Sequence, residues 1–511
     1  MKNRIKQYLL AASMCVGLTA CSDFFEPIPG VQFGLDETFA SKQRTEEYLN
    51  NVYSYVREVT DAIHPNTYGG IFTEASLDGA NRWNKTYAEW TNGSFNSASA
   101  QASEYFSKYY QAIAKASTFI QNVDKCTEAA ASTRGKWKSE ARALRAYYYF
   151  ELLRLYGPIP LIGEDPIPLD ASLEELIKER NSVDECVNFI ATELQSAIDS
   201  GDLLQRAGKA NLGRMDVATC MALKAKLYLY WASPLFNGNT DQASVKNKDG
   251  KQLFPQTEDN SKWAQARDAY ERFMTFATGQ GYKLTEVYTN GKLDPYASCR
   301  AAGEFFTTTW EAVDELIFVK LRDLYDYTYW VCPKFTDFQD TDVTGGGGYY
   351  TTQETVDLFF TKDGLTIEED PGYDKFEGIP GANNFTSGRY YDPNNPSRLY
   401  FDADKSKVLK QWKDREPRFY VNITYSGSIW LNEGKYNEEM RTDFTNGANG
   451  TCGKSKASGD CPDSGYLIRR GAKASNNNGS KHFSPVLRLA DMYLGYAEAL
   501  CMCSDLDNAL T

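Results

Sequence analysis

Apolar positions recur at steps of three and four along residues 137–162, WKSEARALRAYYYFELLRLYGPIPLI. Trp137, Ala141, Leu144, Tyr148, Leu152 and Leu155 share one face of the helix this spacing predicts. A second stripe of Ala143, Tyr147, Phe150 and Leu153 demands cover on another face, so the helix must lie between neighbours. Gly157 can adopt the positive φ that closes the last turn, and Pro158 and Pro160 bar continuation. The same period marks helices at 42–59, 102–124, 134–156, 183–200, 214–233, 261–278 and 485–501.

Several of these helices are consecutive, each of roughly 20 residues and joined by short polar turns, which is the spacing of tetratricopeptide arrays. Small residues in 263–270, WAQARDAY, let a neighbouring helix approach closely. Between residues 280 and 480 the helical period lapses into Gly-, Asn- and Ser-rich stretches such as 381–396, 445–465 and 471–480. Gly345 to Gly348 read as a flexible turn, and Phe419, Val421 and Ile423 alternate as in a strand. The expected fold is mostly α: a tetratricopeptide-like helical-pair scaffold at 41–280 and 483–511, with a loop-rich, few-strand ligand-binding half at 281–482. Residues 485–499 read as one helix, and 505–510 as the opening of an antiparallel mate, cut short.

Ahead of this domain, Lys2, Arg4 and Lys6 precede an apolar run too short to span a bilayer, the pattern of a secretory signal over residues 1–20. Leu18-Thr19-Ala20-Cys21 resembles a bacterial lipobox, which makes Cys21 the expected lipidation site and 21–40 an anchor and tether. Loss of residues 1–20 removes those three basic residues and no acidic one, moving the formal charge from −13 to −16. So acidic a surface disfavours nucleic acid and phosphate-rich partners. Of the 11 cysteines, Cys452 and Cys461 flank a Gly/Ser/Lys loop and could form a local disulfide, and Cys501-Met502-Cys503 lacks the further ligands of a zinc site. No metal or cofactor is expected.

Nor does the chain carry the signatures of catalysis. It has two histidines, His64 before a proline and His482 in a polar loop, and no G-x-S-x-G, H-E-x-x-H or P-loop motif. Aromatics are the stronger signal: 34 Tyr, 27 Phe and nine Trp make up 14% of the residues. The flat face and polar tip of Tyr and Trp suit the C–H faces of a sugar ring, with amides and charged groups reaching its hydroxyls. Asn81, Arg82, Trp83 and Asn84 with Tyr87 and Trp90 form one such cluster. Asp326, Tyr327, Tyr329 and Trp330, following Asp323 and Tyr325, form the other. Each tryptophan could instead anchor a loop; Trp310, Trp412 and Trp430 are read that way, and Arg142, Arg145, Asp491 and Glu498 as ion pairs within the stack.

Five segments now stand in order behind the lipobox-like start: Arg154 to Pro160, Thr352 to Phe359 with Asp363-Gly364, Asp414 to Arg418, Arg488 to Asp491, and Ala497 to Ala499. Together they resemble the SusD/RagB family of outer-membrane nutrient-binding lipoproteins along the whole chain, although Glu416 stands where an aspartate is commoner. The resemblance implies a non-catalytic protein, lipid-anchored in the outer membrane and exposed at the cell surface. It also implies a SusC-type TonB-dependent transporter as partner, to which oligosaccharides are delivered, and a ligand arc built from the two general regions that hold the aromatic clusters. A peptide-binding relative on the same fold, a lipid-anchored helical glycoside hydrolase and a purely structural scaffold are the alternatives.

Overall fold

The computed structural model describes residues 34–56, 76, 78–82, 89, 92–165, 167, 171–303, 314–322, 329–335, 345–375, 380–430, 440–445, 452–453, 460–472 and 482–510. The signal, the lipobox and Cys21 lie outside them, as does His64. Helix α1 (Leu35–Ala40) falls within the stretch read as tether, yet Phe39 on it is fully buried in the helical core, so these residues belong to the packed fold.

The scaffold continues through α2 (Lys42–Ser54), α3 (Ala100–Asn122), α4 (Ala131–Tyr156), α5 (Val183–Asp199), α6 (Val217–Ala232) and α7 (Ser261–Gly279). From α3 to α7 each helix packs on the next, the arrangement of an α-solenoid. Helix α4, with its two apolar stripes, lies between α3 and α5, and Gly157 ends it at φ 68°. Ser182 and Glu185 close a capping box at the start of α5, each satisfying a main-chain N–H of the other. Asp216 caps α6 by accepting from the Thr219 amide at 2.7 Å. Among the described residues no helix is long and apolar enough to cross a membrane.

Two sequence expectations fail locally. Residues 482–488 are strand, not helix or polar loop: they pair antiparallel with Leu316–Arg322, and the helix starts only at Leu489. Residues 417–422 are helix, not strand, because Pro417 occupies the first turn, where its fixed φ and missing N–H cost nothing. Labelled in chain order, the strands used below are β1 (Ala80–Asn81), β2 (Leu316–Arg322), β3 (Tyr349–Tyr350), β4 (Ile423–Tyr425), β5 (Tyr466–Ile468) and β6 (His482–Arg488). The further helices are α8 (Gln353–Asp357), α9 (Pro417–Asn422) and α10 (Leu489–Met502).

Helix α10 returns to the stack and lies on α7, close enough that a Cβ on Gly495 would collide with the Tyr270 hydroxyl. Asp491 accepts from Lys226, and Arg142 and Arg145 pair with Glu193, as the sequence suggests; Glu498 is exposed and forms no ion pair among the described residues. The loop-rich half has its own centres. One gathers Val331, Cys332, Tyr349 and Trp430, and another Tyr400, Trp412, Phe419, Tyr420 and Tyr425, with the Tyr400 and Tyr420 rings stacked at 3.9 Å. Strands β1, β3, β5 and β4 form one sheet, in that order.

Candidate functional site

The described members of the two clusters, Asn81 and Arg82 on one side and Tyr329 and Trp330 on the other, meet at one seam. Strand β1 pairs antiparallel with β3, Asn81 opposite Tyr349, and the Arg82 amide donates to the Gly348 carbonyl at 3.0 Å. On the other side of the same tetraglycine, the amides of Gly345, Gly346 and Gly347 donate to the carbonyls of Pro333, Tyr329 and Cys332 at 3.0, 2.7 and 2.9 Å. Gly345 to Gly348 are buried, so the flexible turn expected from their composition is instead a packed connector. Only glycine fits: a Cβ at Gly346 would fall into the Trp330 ring, and Gly347 holds φ 59°.

Arg82 is half-buried and donates to the Asp463 carboxylate at 2.9 Å and the Cys461 carbonyl at 3.2 Å, tying the 460–464 loop to the seam. Tyr329 and Trp330 meet edge to face, with ring centroids 4.8 Å apart, both partly exposed. Asn81 contributes its backbone to β1. Trp83, Asn84, Tyr87, Trp90, Asp326 and Tyr327 lie outside the described residues, as do Asp323 and Tyr325. Cys452 and Cys461 carry no disulfide bond to each other. Nothing in the local sequence signals the Arg82–Asp463 link, since its partners are 381 residues apart.

A second concavity, which the sequence did not suggest, opens beside the same sheet. It is a cleft of about 620 Å³, with Trp412 and Tyr466 in its lining. The Trp412 indole N–H donates to the Tyr466 hydroxyl at 3.0 Å, and that hydroxyl donates to Gln353 Oε1 at 2.7 Å. Gln353 in turn donates to Asp357 at 2.8 Å. Burial pushes the Tyr466 phenol up to about 12, so it remains a neutral donor in this chain of bonds.

The loops around the cleft are pinned by one buried side chain. Arg415 donates to the carbonyls of Val356 and Phe359 at 2.7 and 2.6 Å and to the Tyr373 hydroxyl at 2.6 Å. Glu416, the cap of α9, accepts from the Phe360 amide at 3.0 Å, so the segment 414–418 is laced to 356–362. Elsewhere in the loop-rich half Arg398 bridges Asp294 and Asp392, and its hydrogen bonds hold the Asp294 carboxyl down to about 2.

Residues 315–511 match the model of the SusD family, and residues 32–229 match a model described as starch-binding and associating with the outer membrane. The chain belongs to the SusD/RagB family. A SusD-like protein of Bacteroides ovatus is 27% identical over 175 residues, which is 33% of this chain and 30% of that relative. Among solved structures, the protein BT4246 superposes with a TM-score of 0.72 at 24% identity, covering 92% of this chain and 80% of its own. A SusD-like carbohydrate-binding protein of Bacteroides fragilis gives a TM-score of 0.60 at 18% identity, over 91% of this chain and 75% of its own. At these identities the likeness shows the shared fold: a tetratricopeptide-like helical scaffold with a loop-rich half.

Proposed function

We propose that this SusD-family chain binds oligo- or polysaccharide without catalysis at the outer membrane and delivers it to a SusC-type TonB-dependent transporter. In this reading it is held at the cell surface by a lipid on Cys21. The observation that carries the glycan-binding part is the seam itself: main-chain bonds of Gly345 to Gly348 join the Arg82 end of one aromatic cluster to Tyr329 and Trp330 of the other. Residues 81–84, 87 and 90 on one side and 326, 327, 329 and 330 on the other would then form a single platform. Sugar rings would lie on Trp and Tyr faces there, and Asn81, Asn84 and Asp326 would take their hydroxyls. The starch-binding description of the matched family model and the carbohydrate-binding description of the Bacteroides fragilis structure support this class of ligand.

A shallow platform of few anchors implies a Kd of roughly micromolar to millimolar for one oligosaccharide. The test is calorimetric titration of the chain against a panel of soluble polysaccharides, beside Trp83→Ala and Trp330→Ala. Binding lost in both folded variants, with no product released, supports the reading. Turnover abolished by neutralising one carboxylate overturns it in favour of a hydrolase, and no glycan binding at all turns it toward peptides. Co-purification with a β-barrel transporter from outer membranes tests the delivery step.

A further inference from the structure

Ser464 ends the loop that Arg82 ties down, but Arg82, Tyr329, Trp330 and Gly345 to Gly348 do not line the 620 Å³ cleft, so the cleft is a separate place on the molecule. We propose that it is a second carbohydrate subsite, and that it takes a short oligosaccharide bearing a uronic-acid carboxylate. Its volume lies inside the about 300–1,000 Å³ range of small-molecule sites.

Its chemistry is mixed in the way a sugar requires. Trp412 and Tyr466 are held rigid by their hydrogen bonds, and Phe385 presents a half-buried ring. Among the described residues, Gln353 retains one amide hydrogen and Asp357 one carboxylate oxygen beyond the bond they share. An amide donor beside a carboxylate acceptor matches the alternating donors and acceptors of neighbouring sugar hydroxyls. A purely apolar ligand would bury these groups without partners, which is unfavourable.

The acidic component follows from charge placement. Lys407 is exposed, its ammonium sits 5.4 Å from the centroid of the Phe385 ring, and it makes no ion pair among the described residues. Lys375, also in the lining, is joined to Glu368 at 3.0 Å. With the ammonium poised over the Phe385 ring, a pyranose C–H edge can pack against the ring while its carboxylate takes the ammonium. Asp357 in the same lining opposes a polyanion such as a phosphorylated ligand, whereas a singly charged uronate can keep its carboxylate at Lys407 and its hydroxyls at Asp357.

The experiment titrates the full chain with cellobiouronic acid and with a glucuronosyl-xylobiose, each carrying one carboxylate, using maltotriose as the neutral control. Phe385→Ala and Lys407→Ala alter exposed or half-exposed side chains, and circular dichroism verifies that both fold. The expected result is that each weakens uronate binding by about tenfold while Trp330→Ala leaves it unchanged. Failure of both acidic probes to bind overturns the proposal. So does uronate binding lost in Trp330→Ala but kept in Phe385→Ala, or maltotriose binding as tightly as the uronates with no effect of Lys407→Ala. The platform is judged separately, by polysaccharide binding in Trp83→Ala.

Discussion

In the helical stack Arg145 is buried against a carboxylate, Glu193, whereas in the loop-rich half Arg415 is buried against main-chain carbonyls, those of Val356 and Phe359. Helices satisfy their own backbone, so a buried arginine there must bring or find a counter-charge, and it ties one helix to another. Loops leave carbonyls over, and a planar guanidinium with several N–H donors can collect them. The same residue type is therefore an interhelical bolt in one half and a substitute for secondary structure in the other.

The largest expected effect is on the bolt. Glu193→Ala leaves Arg145, which is fully buried, without its close partner, and should cost about 3–5 kcal/mol in urea unfolding at neutral pH. The loss should be global, because α4 and α5 belong to one stack. Arg415→Met should cost somewhat less, about 2–4 kcal/mol, by taking the charged donor from the Val356 and Phe359 carbonyls and leaving the Tyr373 hydroxyl only its bond to the Gln411 carbonyl. Its amide-exchange signature should be confined to residues 353–373 and 414–420. If both variants accelerate exchange in the same residues, the contrast between the halves is wrong.

Gly346→Ala is a finer cut. The added methyl meets the Trp330 ring, so about 1–3 kcal/mol of overpacking strain is expected, with a changed tryptophan emission spectrum and weaker glycan binding. Unchanged binding would separate the seam from the ligand platform.

The smallest effects are pH dependences of opposite sign. Burial raises the Asp216 carboxyl of the stack to about 6, from 3.8. Its contribution to stability is full below about pH 4 and falls away as pH rises through 6, because the folded chain holds the proton more tightly than the unfolded one. Asp294 in the loop-rich half, held down to about 2 by Arg398, contributes above about pH 4 and loses that contribution as pH falls toward 2. Asp216→Asn should remove only the first slope from a plot of stability against pH, and Asp294→Asn only the second. A single slope lost in both variants would mean the groups are not independent.

What could be read in advance follows the same division. The helices were legible because α4 repeats its period over 26 residues and ends at Gly157-Pro158. Residues 485–488 read as helix in the sequence because a short apolar run has no distinguishing period, and the strand Leu316–Arg322 that makes them strand is remote in sequence. At 419–423 the alternation of Phe419, Val421 and Ile423 suits a strand, yet Pro417 two residues earlier starts a helix that runs to Asn422, and only Ile423 is strand. The aromatic types of the candidate platform were visible in the sequence, but the pairing of Arg82 with Gly348 depends on tertiary contact. The cleft is not legible because its lining comes from separate stretches, among them Gln353 and Asp357, Tyr373 and Lys375, Phe385, Lys407, Trp412, Phe444 and Tyr466, and no single segment carries a motif for it.

The tetraglycine seam has an evolutionary consequence. Its bonds run between main-chain atoms, so the residues on either flank can be exchanged without altering the joint that sets their spacing. Mutation can then explore new ring faces and new hydroxyl partners one position at a time, against a fixed frame. A lineage that meets a different polysaccharide would need to change the tiles and not the grout.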